Sequence, residues 1–132
     1  MQRTTISALL VLGLAAAAPA ATITVTTSLL DHYQCYNVRD LMQPKFTKLT
    51  VDLTDQFGTE NGLQVIAPAF LCNPVDVNGQ GIQDSVDHLM CYTIRGAKDP
   101  VTVQTNNELG QLRLQTKAAN LLCTPASKTV VP

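Results

Sequence analysis

Tryptophan is absent from this chain, and aromatic residues make up only 5% of it, three Tyr and three Phe. Carbohydrate recognition by stacked aromatic platforms therefore has little to stand on. Charge is sparse too: nine Lys and Arg are balanced by ten Asp and Glu, leaving a net charge of −1. A phosphate-binding surface needs clustered Lys and Arg, and these are scattered, so nucleic acid is not an expected partner. No Gly-rich phosphate loop, zinc-protease helix motif or dinucleotide fingerprint occurs. Ser28 and Ser85 lack the setting of a nucleophile elbow, and the acid pairs Asp52/Asp55 and Asp84/Asp87 fall on a strand end and a loop. No catalytic constellation is present, and a small hydrolase is the weakest of the readings left open.

What is there begins with an export signal. Met1-Gln2-Arg3 is a short basic start, residues 6–17 are apolar and small, and Ala18-Pro19-Ala20 is a small-x-small cleavage pattern. Together they read as a secretory signal peptide over residues 1–20. The apolar stretch falls short of the roughly 20 residues that span a bilayer, so no membrane insertion is expected after cleavage. The expected location is outside the cytoplasm, periplasmic or extracellular. A Thr-rich, β-branched lead-in follows at 21–31 and suits an extended segment or an edge strand.

From His32 onward the sequence repeats. His32-Tyr33-Gln34-Cys35-Tyr36-Asn37-Val38-Arg39 returns 56 positions later as His88-Leu89-Met90-Cys91-Tyr92-Thr93-Ile94-Arg95. Asp55-Gln56-Phe57-Gly58 has a counterpart in Asn107-Glu108-Leu109-Gly110, and Phe70-Leu71-Cys72-Asn73-Pro74 in Leu121-Leu122-Cys123-Thr124-Pro125. Internal self-similarity of this kind identifies a duplicated unit. Repeats at 32–75 and 88–128, joined by a polar linker at 76–87, make one domain over 32–132.

Each unit reads as three strands. The segment after His32 is rich in β-favouring residues, Lys48 to Thr54 alternates apolar and polar with period two, and an Asn61-Gly62 turn signal precedes a third strand at Leu63. Pro68 is expected to end the regular pairing of that strand. Val101 to Thr105 and Leu112 to Thr116 repeat the pattern, and residues 116–121 have the composition for one helical turn. The architecture expected is all-β: two three-stranded units related by a pseudo-twofold axis and closed as a small barrel or sandwich.

Four cysteines in an exported chain imply two disulfides. If each unit were an antiparallel meander, its first and third strands would run parallel. Cys35 and Cys72 would then lie too far apart for the Cα separation of roughly 4.4–6.8 Å that a disulfide needs. That favours Cys72 with Cys91 and Cys35 with Cys123. The alternative, Cys35 with Cys72 and Cys91 with Cys123, survives if the segments after Pro68 and Ala119 fold back.

His32 and His88 could meet across a twofold axis as metal ligands, but each more simply begins a strand and bonds a neighbouring loop. Tyr36 and Tyr92 are expected to lay their rings over the disulfides, and Arg39 and Arg95 to support the turns that follow. The linker is the sharpest lead. Asp76, Asn78, Gln80, Asp84 and Asp87 place oxygen side chains at loop positions 1, 3, 5, 9 and 12 with Gly81 at position 6, as in a calcium loop. Gln80 stands where Asp is usual and Asp87 where Glu is common, so any affinity should be weak, on the order of 10⁻⁴ to 10⁻³ M. The competing reading is a solvated turn, and calcium is the only cofactor the sequence offers.

The order His-x-x-Cys-Tyr, Asp-Gln-Phe-Gly and Leu-Cys-x-Pro, given twice, resembles a family of exported bacterial domains of unknown function in which these motifs form a tandem pair. The likeness covers residues 32–128; Asn107-Glu108-Leu109-Gly110 departs from the sharper form. The chain is thus expected to be a secreted, disulfide-stabilised β module with a binding or assembly role. Its partner would be an extracellular ligand or another copy reached through an edge strand. The alternatives are a calcium-dependent adhesion or assembly subunit and, less well supported, a small secreted hydrolase.

Overall fold

The computed structural model describes residues 13–17, 30–97 and 99–132. Most of the segment read as a signal peptide and most of the Thr-rich lead-in lie outside those residues, and 13–17 have no regular structure. Among the described residues there is no helix, and 116–120 form none. Seven strands are present: β1 (His32–Asn37), β2 (Leu49–Asp55), β3 (Gly58–Val75), β4 (His88–Ile94), β5 (Thr102–Asn107), β6 (Gly110–Gln115) and β7 (Leu121–Ala126). The main sheet runs β1-β3-β4-β7 with β2 also paired to β3, while β5 and β6 form a separate two-stranded sheet. No barrel closes among these strands, and the sandwich reading fits.

β2 and β3 are joined by a two-residue hairpin in which Asp55 pairs with Gly58. The Phe57 N–H donates to Asp55 Oδ1 at 2.7 Å, and Gly58 takes a φ of 145°. The hairpin of β5 and β6 is built the same way. Asn107 pairs with Gly110, the Leu109 N–H donates to Asn107 Oδ1 at 2.9 Å, and Gly110 has a φ of 135°. An Asx side chain bonding the backbone two residues on is what fixes both turns, so Asn serves where Asp stood.

Asn61-Gly62 does not turn the chain. β3 runs straight through it, and the register with β2 shifts between Val51 and Leu53. Gly62 takes a φ of 69° and donates its N–H to Asp52 Oδ1 at 2.7 Å. Two residues of β3 thus oppose one of β2, which is a β-bulge, and a glycine supplies the left-handed conformation it needs. Pro68 does not end the strand either. Register shifts on both sides of it, between Val65 and Ala67 and between Pro68 and Phe70, absorb its missing donor and pairing with β4 resumes.

The consequence is that the units are not meanders. β1 pairs antiparallel with the C-terminal half of β3, and β2 pairs with the N-terminal half. β4 and β7 repeat the β1–β3 ladder: His32 opposes Val75 and Cys35 opposes Cys72, as His88 opposes Ala126 and Cys91 opposes Cys123. The bonds Val38 N–H to Ala69 O and Ile94 N–H to Asn120 O extend the two ladders at equivalent places. Unit one contributes β1 and β3, unit two β4 and β7, in the same order and the same direction along the sheet. The disulfide-bearing strand pairs of the two units are therefore related by translation across two strands, not by the expected pseudo-twofold axis, which would have reversed the order of the second pair.

The units differ in their third strand. In the first it is one piece of 18 residues, flanked along Val65 to Cys72 by β4. In the second, 116–120 lie between β6 and β7 without strand structure. Ile94 and Gly96 bond it on one side, but no described strand flanks its other side as β4 flanks β3, and Lys117 and Asn120 stand where the first unit has Ile66 and Ala69. The hairpin of β5 and β6 is thereby freed to fold back. Its tip residue Glu108 reaches His32 Nε2 through Oε1 at the far end of the sheet.

The core is small. Leu63, Val65 and Ile94 are buried, and Phe46, Val51, Leu53, Tyr92 and Leu122 pack against them. Phe46 comes from the long connection between β1 and β2, which is shaped by Asp40. That carboxylate accepts the N–H groups of Met42 and Phe46 at 2.8 and 2.7 Å.

Candidate functional site

All four cysteines are bonded, Cys35 to Cys72 and Cys91 to Cys123. This corrects the pairing of Cys72 with Cys91 and Cys35 with Cys123. That pairing assumed first and third strands running parallel, whereas they are antiparallel neighbours and each bridge joins residues directly opposite one another. The favoured partners are nonetheless close: Cys72 Sγ and Cys91 Sγ lie 3.8 Å apart. Because neighbours in register share a face, the two bridges form one row of sulfur crossing β1, β3, β4 and β7. Cys72 and Cys91 at its centre are 1% and 2% exposed.

Strand alternation places Tyr36 and Tyr92 on the opposite face from the sulfurs, which corrects the expectation that their rings lie over the disulfides. Tyr92 instead stacks on Phe46, ring centroids 5.3 Å apart, and Tyr36 is exposed. The same alternation sets His32 and His88 on the core face, but β3 runs between their strands, a separation of about 10 Å. His32 bonds Glu108 of the other unit. His88 is buried, with Nδ1 lacking a hydrogen-bond partner among the described residues. Arg39 and Arg95 are exposed just past β1 and β4.

The linker carboxylates turn inward to their own backbone. Asp76 Oδ1 accepts the Gly81 N–H at 2.9 Å, and Asp84 Oδ1 accepts those of Val86 and Asp87 at 2.8 and 3.1 Å. Asp31, just before β1, accepts the N–H groups of Gln83 and Asp84. Asn78 and Gly79 take positive φ at the tip. Asp76, Asn78, Gln80, Asp84 and Asp87 are thus placed along a capped loop, and among the described residues no three His, Cys, Asp or Glu gather as a metal-holding group.

A cavity of about 410 Å³ lies where the tip of the first hairpin meets the segments after β4 and β6. Phe57, Ile94 and Leu53 give it an apolar wall, and Asp55, Glu60, Asp99 and Lys117 line its rim. Glu60 Oε2 accepts the Ala97 N–H at 3.1 Å and Thr116 Oγ1 that of Val101 at 2.8 Å. The lining contains no Ser, His or Cys; its polar side chains are Asp55, Thr59, Glu60, Asp99, Thr116 and Lys117. This cleft was not legible in the sequence, because it depends on where the second unit's third strand breaks.

The most distinctive surfaces are the two outer edges of the main sheet. In an antiparallel ladder, backbone groups bond alternately to one side and the other. The terminal bonds of Val38 with Ala69 and Ile94 with Asn120 fix the phase. The N–H and C=O groups of Tyr33, Cys35 and Asn37 in β1, and of Leu121 and Cys123 in β7, point outward. Among the described residues neither edge is paired on that side, and neither strand contains Lys, Arg, Asp or Glu, the charges that usually guard an edge.

An all-β chain built from a translated unit, each copy closed by a cross-strand disulfide, defines a disulfide-stapled β-repeat protein. The family described as "Repeat of unknown function (DUF7450)" matches residues 11–125, spanning both copies, and the chain belongs to it. No curated protein and no solved structure matches the chain.

Proposed function

We propose that the chain is an exported structural module that meets an extracellular ligand or another copy of itself through its sheet, not through covalent chemistry. The carrying observation is the use made of its reactive groups. Every cysteine is consumed in a staple, and the carboxylates of Asp31, Asp40, Asp52, Asp55, Asp76 and Asp84 all accept backbone N–H bonds. Two cross-strand disulfides supporting so small a core belong to an oxidising compartment, in keeping with the leader read at residues 1–20 and with exported domains that carry the same tandem motifs. No described helix is long and apolar enough to cross a membrane.

Expression of the full chain with its own leader tests this. The expected product is found outside the cytoplasm, begins near Ala21, and takes up no alkylating reagent until reduced. A full-length cytoplasmic product with free thiols would sink the proposal.

A further inference from the structure

We infer that the module extends itself head to tail, the β1 edge of one copy adding to the β7 edge of the next. This rests on the reading of the chain as a structural module and names its partner as a second copy. The warrant is the seam already inside the chain. Unit one meets unit two where β3 pairs with β4, Phe70 opposing Cys91, Leu71 opposing Met90 and Cys72 opposing Leu89. Translation makes β7 the equivalent of β3 and β1 the equivalent of β4. The outer edge of β7 is therefore a second copy of the Phe70–Cys72 part of the surface that receives β4, and the outer edge of β1 is a second copy of the surface that β4 presents there.

The equivalence also dictates register. Leu121 of one copy opposes Cys35 of the next, Leu122 opposes Gln34, and Cys123 opposes Tyr33. The outward backbone groups of Leu121 and Cys123 then face those of Cys35 and Tyr33, so donors meet acceptors in the phase used by the internal seam. Pro125 is no obstacle, since Pro74 holds the same place in β3. Leu121 and Tyr36, 38% and 48% exposed, line the joint, and the row of sulfurs continues from Cys123 to the neighbouring Cys35. Other exposed edges, such as the outer side of β2, have no such template in the chain. Because the contact is heterologous and rests on translation, it does not close into a dimer.

Sedimentation velocity of the exported, oxidised protein tests this, together with variants of the joint. Wild type should sediment as a series of species that lengthens with concentration and does not stop at two. Tyr33→Pro removes an outward donor on an edge strand, where proline is tolerated, and Tyr33→Ala controls for the lost ring; the Pro variant should be monomeric and melt where the Ala variant does, while the Ala variant still assembles. In Gln34→Cys/Leu122→Cys the new thiols face each other across the joint, and oxidation should give a reductant-sensitive ladder at least tenfold faster than in the out-of-register Gln34→Cys/Thr124→Cys; since Leu122 packs on the core, Leu122→Cys alone is melted alongside to show that it folds. Wild type that is monomeric at every concentration, a closed dimer, or equal cross-linking in both registers would overturn the inference. If instead the protein proves cytoplasmic and reduced, it is the reading beneath, of an exported module, that has failed.

Discussion

The sulfur of Cys72 sits 3.8 Å from that of Cys91, across the seam between the two units. Each belongs to a different disulfide, so the two staples pack side by side and each covers the inner sulfur of the other, while Cys35 and Cys123 at the outer ends are exposed. Removing one should expose its neighbour. In Cys35→Ala/Cys72→Ala, reduction of the bridge between Cys91 and Cys123 should be several-fold faster than in wild type, read by timed alkylation in dithiothreitol. An unchanged rate would mean that the sulfurs do not shield each other. The same variant should lose about 3–4 kcal/mol to denaturant, from release of a loop closed over 37 residues.

The two hairpins make a matched pair of tests. Asp55→Ala and Asn107→Ala each remove the acceptor that holds a turn N–H, and each should cost about 1 kcal/mol. Asp55→Asn should cost less than about 0.5 kcal/mol, since the second unit already uses Asn in that place and a surface change of this kind is small. Urea denaturation measures all three, and an Asn variant as weak as the Ala variant would show that charge, not geometry, holds the turn.

Gly62 bears the bulge in β3. Its φ of 69° is unfavourable for a residue with a Cβ, and no neighbouring atom lies within 4 Å of where that Cβ would sit. Gly62→Ala should therefore cost about 1–2 kcal/mol through backbone strain alone. A neutral result in thermal melts would mean that the bulge is not built on the left-handed conformation.

The connection that brings Phe46 onto the core depends on an ionised Asp40. Backbone N–H bonds from Phe46 and then Met42, with Lys45 nearby, hold its carboxyl below the usual value of 3.8. Since the folded-state value is depressed, its stabilisation is fully present above the unfolded-state pKa and fades as pH falls through the folded-state one. Below about pH 4 the stacking of Tyr92 on Phe46, followed by tyrosine fluorescence, should weaken, and Asp40→Asn should flatten that acid limb. An identical limb in the variant would assign the change to another carboxylate.

The duplication was legible from His32 and His88 onward, because strand motifs keep their internal spacing, and so was the equivalence of the two hairpin tips. The pairing of strands was not. Pro68 and Asn61-Gly62 read locally as a stop and a turn, but β3 passes through both because the strand paired beside each, β2 at Gly62 and β4 at Pro68, accommodates an extra residue of β3 as a bulge. That long strand makes β1 and β3 antiparallel, and with it decides both the disulfides and the translational relation of the units. The fold-back of β5 and β6 was equally hidden. It goes with the lack of a described strand on the outer side of 116–120, a property of the assembled sheet, and with Lys117 and Asn120 in place of Ile66 and Ala69.

The most direct measurement is peptide mapping of the exported protein by mass spectrometry without reduction. The account predicts two bridged peptide pairs, Cys35 with Cys72 and Cys91 with Cys123, in material recovered outside the cytoplasm. Bridges from Cys72 to Cys91 and Cys35 to Cys123, or four free thiols, would contradict the translated, stapled repeat.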